Sequence, residues 1–109
     1  LLGAMSLGDI GSHFPDTDNK YKGIDSKILL GDVINIMKEN KYDIVNIDVT
    51  ILLQKPKLRD HIDTMRKTIA EITGSEVSSI SVKATTTEGL GFVGREEGVA
   101  AHCVCLLKK

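Results

Sequence analysis

The sequence lacks an excess of charge of either sign. Fourteen Lys and Arg stand against fifteen Asp and Glu, for a formal net charge of −1. Nothing in that balance argues for nucleic acid or for an anionic membrane surface as partner. It also lacks any apolar run long enough to span a bilayer. The opening residues, Leu1-Leu2-Gly3-Ala4-Met5, have neither the basic stretch nor the apolar core of a secretory signal. Tryptophan is absent, proline occurs twice and cysteine twice. Cys103 and Cys105 alternate with Val104, a spacing that puts both on one face of a strand and exceeds that of a relaxed disulfide. They read as two small buried hydrophobes in a reducing compartment, since a metal site would need further ligands nearby. His13, His61 and His102 are scattered, and no Ser-His-Asp or Cys-His arrangement can be argued. Internal repeats and low-complexity segments are also missing.

What is present is an ordinary globular composition. Of 109 residues, 41% are apolar and 27% charged, so a single domain is expected. A core of that size has little margin, and oligomerisation would help it.

Leu1, Leu2, Met5 and Leu7 have helical spacing, with Gly8 as terminator and no N-cap before them. The chain is therefore expected to be a piece of a longer protein. Gly8 to Gly23 reads as a loop rich in Gly, Pro, Asp and Asn. Asp25 or Ser26 can cap a helix running to about Asn40, with Leu29, Val33, Ile36 and Met37 as its apolar stripe. Tyr42 to Leu53 alternates as a strand. Val45, Ile47, Val49 and Ile51 are expected on one face, and Asn46, Asp48 and Thr50 on the other. Pro56 stops it. Lys57 to Thr73 reads as a second helix, with Leu58, Ile62, Met65, Ile69 and Ile72 inward and Gly74 ending it. Ile80 to Thr85 is a short strand, and Thr86 to Gly98 a Gly-rich connection with room for one helical turn. Val99 to Leu107 is a last strand, apolar on both faces except at His102. Such a strand must be covered on both sides. Two amphipathic helices can cover one face of a small sheet, and a second subunit would then be needed for the other.

Three segments carry candidate chemistry. Asp9, Asp16, Thr17 and Asp18 could hold a divalent cation or orient hydroxyls, although a turn-rich surface loop has the same composition. Gln54-Lys55-Pro56-Lys57-Leu58 is a strand end running into a helix start, where free N–H groups and Lys57 could receive an anion. Thr85-Thr86-Thr87-Glu88-Gly89-Leu90-Gly91-Phe92 sets three hydroxyls, a carboxylate and two glycines after a strand. The hydroxyls can donate to phosphate oxygens, and Glu88 can hold a metal that bridges phosphates. It is not a Walker loop, because the Gly-Lys-Ser/Thr ending is missing.

Read in order, these segments resemble the 2-C-methyl-D-erythritol 2,4-cyclodiphosphate synthase family. The residues that carry the resemblance are Leu7-Gly8-Asp9-Ile10-Gly11, Phe14-Pro15-Asp16-Thr17-Asp18, Asn46 to Thr50, Pro56-Lys57, Val82 to Glu88 with Leu90 to Arg95, and Glu97 to His102. The resemblance implies an α/β chain of the α+β two-layer sandwich type, a small β-sheet with helices on one face. It also implies a homotrimer with its sheets around the threefold axis. It implies closure of 4-diphosphocytidyl-2-C-methyl-D-erythritol 2-phosphate to the cyclic diphosphate with release of CMP, in non-mevalonate isoprenoid synthesis.

By that resemblance Asp9, Ile10 and Gly11 contact the methylerythritol part of the substrate. Phe14, Pro15, Asp16, Thr17 and Asp18 form a mobile loop over it. Leu53, Gln54, Lys55, Pro56, Lys57, Leu58 and Arg59 line the cytidine pocket. Thr85, Thr86, Thr87 and Glu88 hold the diphosphate, with Thr86 stabilising the transition state and Glu88 binding a second divalent ion. Phe92 and Arg95 complete the set near the threefold channel, where an isoprenoid diphosphate could bind. The implied cofactors are zinc with magnesium or manganese, and the family's zinc ligands fall outside this chain. The implied location is a bacterial cytoplasm, or else a plastid-type organelle. Two other readings share the same residues: a catalytically inactive trimeric module that binds cytidine nucleotides, and a purely structural trimerising domain.

Overall fold

The computed structural model describes residues 1–109. The chain has four α-helical segments, α1 (Ile10–His13), α2 (Ser26–Glu39), α3 (Ile62–Thr73) and α4 (Gly91–Gly94). Its strands are β1 (Asp43–Leu52), β2 (Ile80–Thr85) and β3 (Ala100–Lys108), in one sheet of order β2-β1-β3. This is a small α+β architecture. No helix is long and apolar enough to cross a membrane.

Two compact units divide the chain, one comprising residues 1–45 with 105–109 and the other residues 46–104. In the first unit Asp25 caps α2 by accepting the Lys27 N–H at 2.9 Å. Such a cap satisfies a donor the helix cannot, and is worth about 1 kcal/mol. The buried stripe of α2 is Val33, Ile34 and Met37, which meet Leu2 and Met5. Ile36 and Tyr42 pack at the margin of that cluster, as do Phe14, Ile44 and Leu107. Gly3–Met5 is a 3-10 turn, closed by Ser6 in the left-handed conformation (φ 59°) rather than by Gly8.

The second unit is built on a β-α-β crossover. β1 and β2 pair in parallel from Ile47 opposite Ile80 to Leu52 opposite Thr85, and α3 is the connection between them. Parallel strands need such a crossover, because a tight turn cannot join them. Gly74 ends α3 at φ 70°, the left-handed geometry that glycine adopts without a Cβ penalty. Ile47, Ala70, Ile80 and Val82 are buried in this unit. On the polar side of the ladder, Lys83 donates to Asp48.

Several expectations need correction. The α-helix begins at Ile62, not Lys57: residues 54–56 bend, and Arg59–His61 is a 3-10 turn. The 55–58 segment therefore does not sit on an α-helix N-terminus. Val45 is 41% exposed, whereas Ile47 is buried, so the two do not share one environment. Cys103 is exposed and Cys105 half-buried, because nothing in the single chain covers that stretch of β3. Val104 and Leu106, 74% and 59% exposed, are open for the same reason.

Arg66 is the tie that periodicity could not show. From α3 its Nε donates to the Ile80 carbonyl at 2.7 Å and its Nη2 to that of Val77 at 3.1 Å. Arg66→Met keeps the stem but leaves two carbonyls short of a charged donor, each bond being worth about 1.5–3 kcal/mol. The variant is expected to lose at least about 1.5 kcal/mol in urea unfolding; an unchanged midpoint would contradict the tie. The Asp48 carboxyl is held below its ordinary value of 3.8, mainly by the hydrogen bond from Lys83, with desolvation opposing and Ser81 assisting. A depressed native pKa favours the fold above the ordinary value, and the benefit is lost as pH falls through the native one. Asp48→Asn should therefore flatten the acid limb of the stability profile below about pH 4. Urea titrations across that range would show it, and superimposable limbs would contradict it.

Candidate nucleotide and diphosphate site

The parallel register brings the C-terminal ends of β1 and β2 side by side, and the Leu53 N–H donates to the Thr85 carbonyl at 3.0 Å. The two segments that follow these strands are thus forced to leave from adjacent points. Ligands in sheets with parallel strands bind at this carboxyl end, where loops diverge and leave backbone groups free. A cavity of about 600 Å³ opens here. One wall is Leu53, Gln54 and Pro56 to Asp60, with Ile62; the other is Val82, Ala84, Thr85 and Thr86. Lys57 and Arg59 give it two exposed cations against the one carboxylate of Asp60. That balance suits a phosphorylated ligand, and the apolar Leu53, Leu58 and Ile62 suit a flat base.

The cavity therefore joins two of the three candidate segments. Lys55 does not line it. It faces a smaller pocket of about 170 Å³ with Leu53, Gln54, Val93 and residues 96–99. There it pairs with Glu96 at 3.6 Å. Gln54 borders both pockets, and its Oε1 is buried without a partner. Thr87 and Glu88 continue from the cavity wall into a turn. Asp60, Ile62, Val82 and Ala84 also line the cavity. Val82 and Ala84 could have been named from the alternation of β2, but Asp60 and Ile62 were hidden by the misplaced helix start.

The hydroxyls of the Thr-Thr-Thr-Glu segment have distinct tasks. Thr85 Oγ1 donates to the Thr86 carbonyl at 3.1 Å. Thr86 Oγ1 accepts the Glu88 N–H at 3.3 Å, which leaves its own proton available to a ligand oxygen. Thr87 Oγ1 donates to the Leu90 carbonyl at 2.6 Å and closes the turn. Glu88 is exposed, at φ 54°, with its carboxylate in no ion pair. Phe92 is 50% exposed, and Arg95 pairs with Glu97 at 2.8 Å.

The Asp9–Asp18 segment belongs to the first unit. Asp9 Oδ1 accepts the Ser12 N–H at 2.9 Å as the cap of α1. Ile10 and Gly11 lie exposed in that turn. Phe14 is half-buried, packed on the core and edge-on to Tyr21 at 5.6 Å. Pro15, Asp16, Thr17 and Asp18 are exposed, and Asp18 accepts the Lys20 N–H at 3.0 Å. Nowhere in the chain do three His, Cys, Asp or Glu side chains come together as a metal site.

The YgbB family model matches residues 1–108 of this chain. The chain belongs to the YgbB family, the 2-C-methyl-D-erythritol 2,4-cyclodiphosphate synthases. It is 55% identical over 109 residues to the synthase of Brachyspira hyodysenteriae, covering 100% of this chain and 69% of that protein. It is 56% identical over 107 residues to the synthase of Francisella tularensis subsp. novicida, covering 98% and 67%. Among solved structures, it superposes with TM-score 0.93 and 43% identity on the bifunctional IspDF of Campylobacter jejuni, covering 97% of this chain and 29% of that one. A CDP complex of IspF from Plasmodium falciparum gives TM-score 0.84 at 31% identity, covering 97% and 63%. The chain thus spans about two thirds of the curated synthases it matches and under a third of the bifunctional protein.

Proposed function

We propose that this chain carries the cytidine and diphosphate sites of a 2-C-methyl-D-erythritol 2,4-cyclodiphosphate synthase. In this reading it helps convert 4-diphosphocytidyl-2-C-methyl-D-erythritol 2-phosphate to the cyclic diphosphate and CMP. The observation that carries the reading is the cavity in which Leu53, Gln54 and Pro56–Arg59 face Thr85 and Thr86. A matched IspF structure is a complex with CDP, the ligand that such a cavity suits.

In this reading Leu53, Gln54 and Pro56–Arg59 receive the cytosine and ribose, and Lys57 and Arg59 compensate phosphate charge. Thr85, Thr86 and Thr87 border the diphosphate, with the Thr86 hydroxyl donating to a β-phosphate oxygen. The attacking oxygen is that of the 2-phosphate, already ionised at neutral pH, so no general base is required. It forms a bond to the β-phosphorus as the bond from that atom to the α-phosphate's bridging oxygen breaks, and CMP carries the electron pair away. The chain's contribution is then positioning and charge neutralisation.

Glu88 fits a divalent ion such as magnesium or manganese. One unpaired, exposed carboxylate beside hydroxyls is how such ions are held when substrate phosphates supply the other ligands. Bound there, the ion would neutralise charge on the diphosphate. A zinc site does not fit this chain's own residues, since no donor set of three assembles. Asp9–Gly11 and Phe14–Asp18 are assigned to the methylerythritol end of the substrate. The exposed apolar residues Val99, just before β3, and Val104 and Leu106 within it support a homotrimer packed through its sheets. Phe92 and Arg95 are assigned near its axis, where an isoprenoid diphosphate could enter.

The test is incubation of this chain joined to the zinc-ligand segment of a matched synthase with the phosphorylated diphosphocytidyl substrate, zinc and magnesium, followed by ³¹P NMR. Cyclic diphosphate and CMP are the expected products. Glu88→Gln should lower metal-dependent turnover by about 10²-fold or more with little change in thermal stability, and full activity in that variant would remove Glu88 from the site. CDP binding without any turnover would favour a binding module over a synthase.

A further inference from the structure

We propose that Gly94 is a positioning residue for the diphosphate and metal segment: its bare α-carbon lets α4 back directly onto Gly89 and so sets where Glu88 and Thr86 stand. The inference rests on the reading above of Thr85–Glu88 as diphosphate and metal ligands. A Cβ on Gly94 would lie 2.6 Å from the Gly89 carbonyl oxygen and 2.7 Å from its Cα, and closer still to its carbonyl carbon. Real Cβ atoms essentially never approach within 3.0 Å. The obstacle here is backbone, which cannot swing aside as a flexible side-chain tip can.

Gly89 is one peptide from Glu88, so whatever moves Gly89 moves the carboxylate. The intervening loop has little slack to absorb the shift. Glu88, Gly89 and Gly91 all have positive φ. The Leu90 N–H donates to the Thr87 carbonyl at 3.1 Å, and Thr87 Oγ1 donates back to the Leu90 carbonyl. On the far side Val93, 3% exposed, anchors α4 in the unit's interior. The turn is thus held between a buried side chain and a backbone-to-backbone contact. The Glu88 N–H reaches Thr86 Oγ1, so displacement of Glu88 also disturbs the hydroxyl assigned to the β-phosphate. By contrast, the cytidine wall meets the far end of this turn through the exposed Lys55–Glu96 pair, of the kind that contributes little, and across the small pocket that Leu53 and Gln54 share with Val93, none of which bears on Gly89.

A side chain at position 94 should therefore damage diphosphate and metal recognition while sparing the base pocket. Calorimetric titration of the chain with CDP and with CMP, each with and without Mn²⁺, separates the two. Gly94→Ala is expected to weaken Mn²⁺-supported CDP binding by about tenfold and CMP binding by less than about twofold. Val93→Ala loosens α4 without adding an atom at the contact, and should shift the same ratio in the same direction. A folded Gly94→Ala with unchanged Mn²⁺-supported CDP affinity, or with equal losses for CMP and CDP, would overturn the inference. If Gly94→Ala does not fold, an unchanged ratio in Val93→Ala would overturn it. If the unsubstituted chain binds neither nucleotide, the functional reading falls and this inference with it.

Discussion

The parallel register of β1 and β2 is the constraint on which the rest of the second unit depends. Leu52 stands opposite Thr85, and the next N–H, on Leu53, donates to the Thr85 carbonyl. Both strands therefore end at one level, and both following segments start from adjacent points with backbone groups still unpaired. A slip of one residue would turn Val82 out of the interior and bring Lys83 in. It would also carry Thr85 and Thr86 away from the Leu53–Arg59 wall. The Asp48–Lys83 pair on one face, Ile47, Ile80 and Val82 packed on the other, and Arg66 bound to the Ile80 and Val77 carbonyls all act against that slip.

What the register places is a site that works by position more than by reactive groups. The cavity holds two cations, hydroxyls and an apolar floor, with no activated nucleophile. For a reaction whose nucleophile is an already ionised substrate phosphate, that composition is sufficient. The turn from Thr86 to Glu97 then matters for its shape. Its positive-φ residues, the Thr87 closure and the approach of Gly94 to Gly89 fix the turn that carries Glu88 two residues beyond Thr86 on the cavity wall.

Much of the framework was legible from side-chain periodicity. The cap at Asp25, the stop at Gly74 and the limits of β2 follow from local chemistry that tertiary contacts did not override. The start of α3 was not, because Pro56 and Lys57 have the composition of a first helical turn while the chain there bends around the cavity. Arg66 was invisible, since its partners are carbonyls eleven and fourteen residues away and no alternation encodes them. The exposure of Cys103, Val104 and Leu106 differs from expectation because an apolar strand announces that it wants cover but not what supplies it. Of the site, each segment alone was ambiguous. Order and spacing across the chain, and so the family resemblance, made Leu53–Arg59 and Thr85–Glu88 a single proposal, and the fold adds that Thr85 and Thr86 face Leu53, Gln54 and Pro56–Arg59, with Lys55 turned to the smaller pocket.

The most direct test is an NMR titration of the isotopically labelled chain with CDP, following every backbone amide. The account expects shifts concentrated at Leu53–Ile62 and at Thr85–Glu88, growing together along one binding curve. Shifts that cluster elsewhere, or saturating concentrations that leave these two walls unmoved, would contradict it.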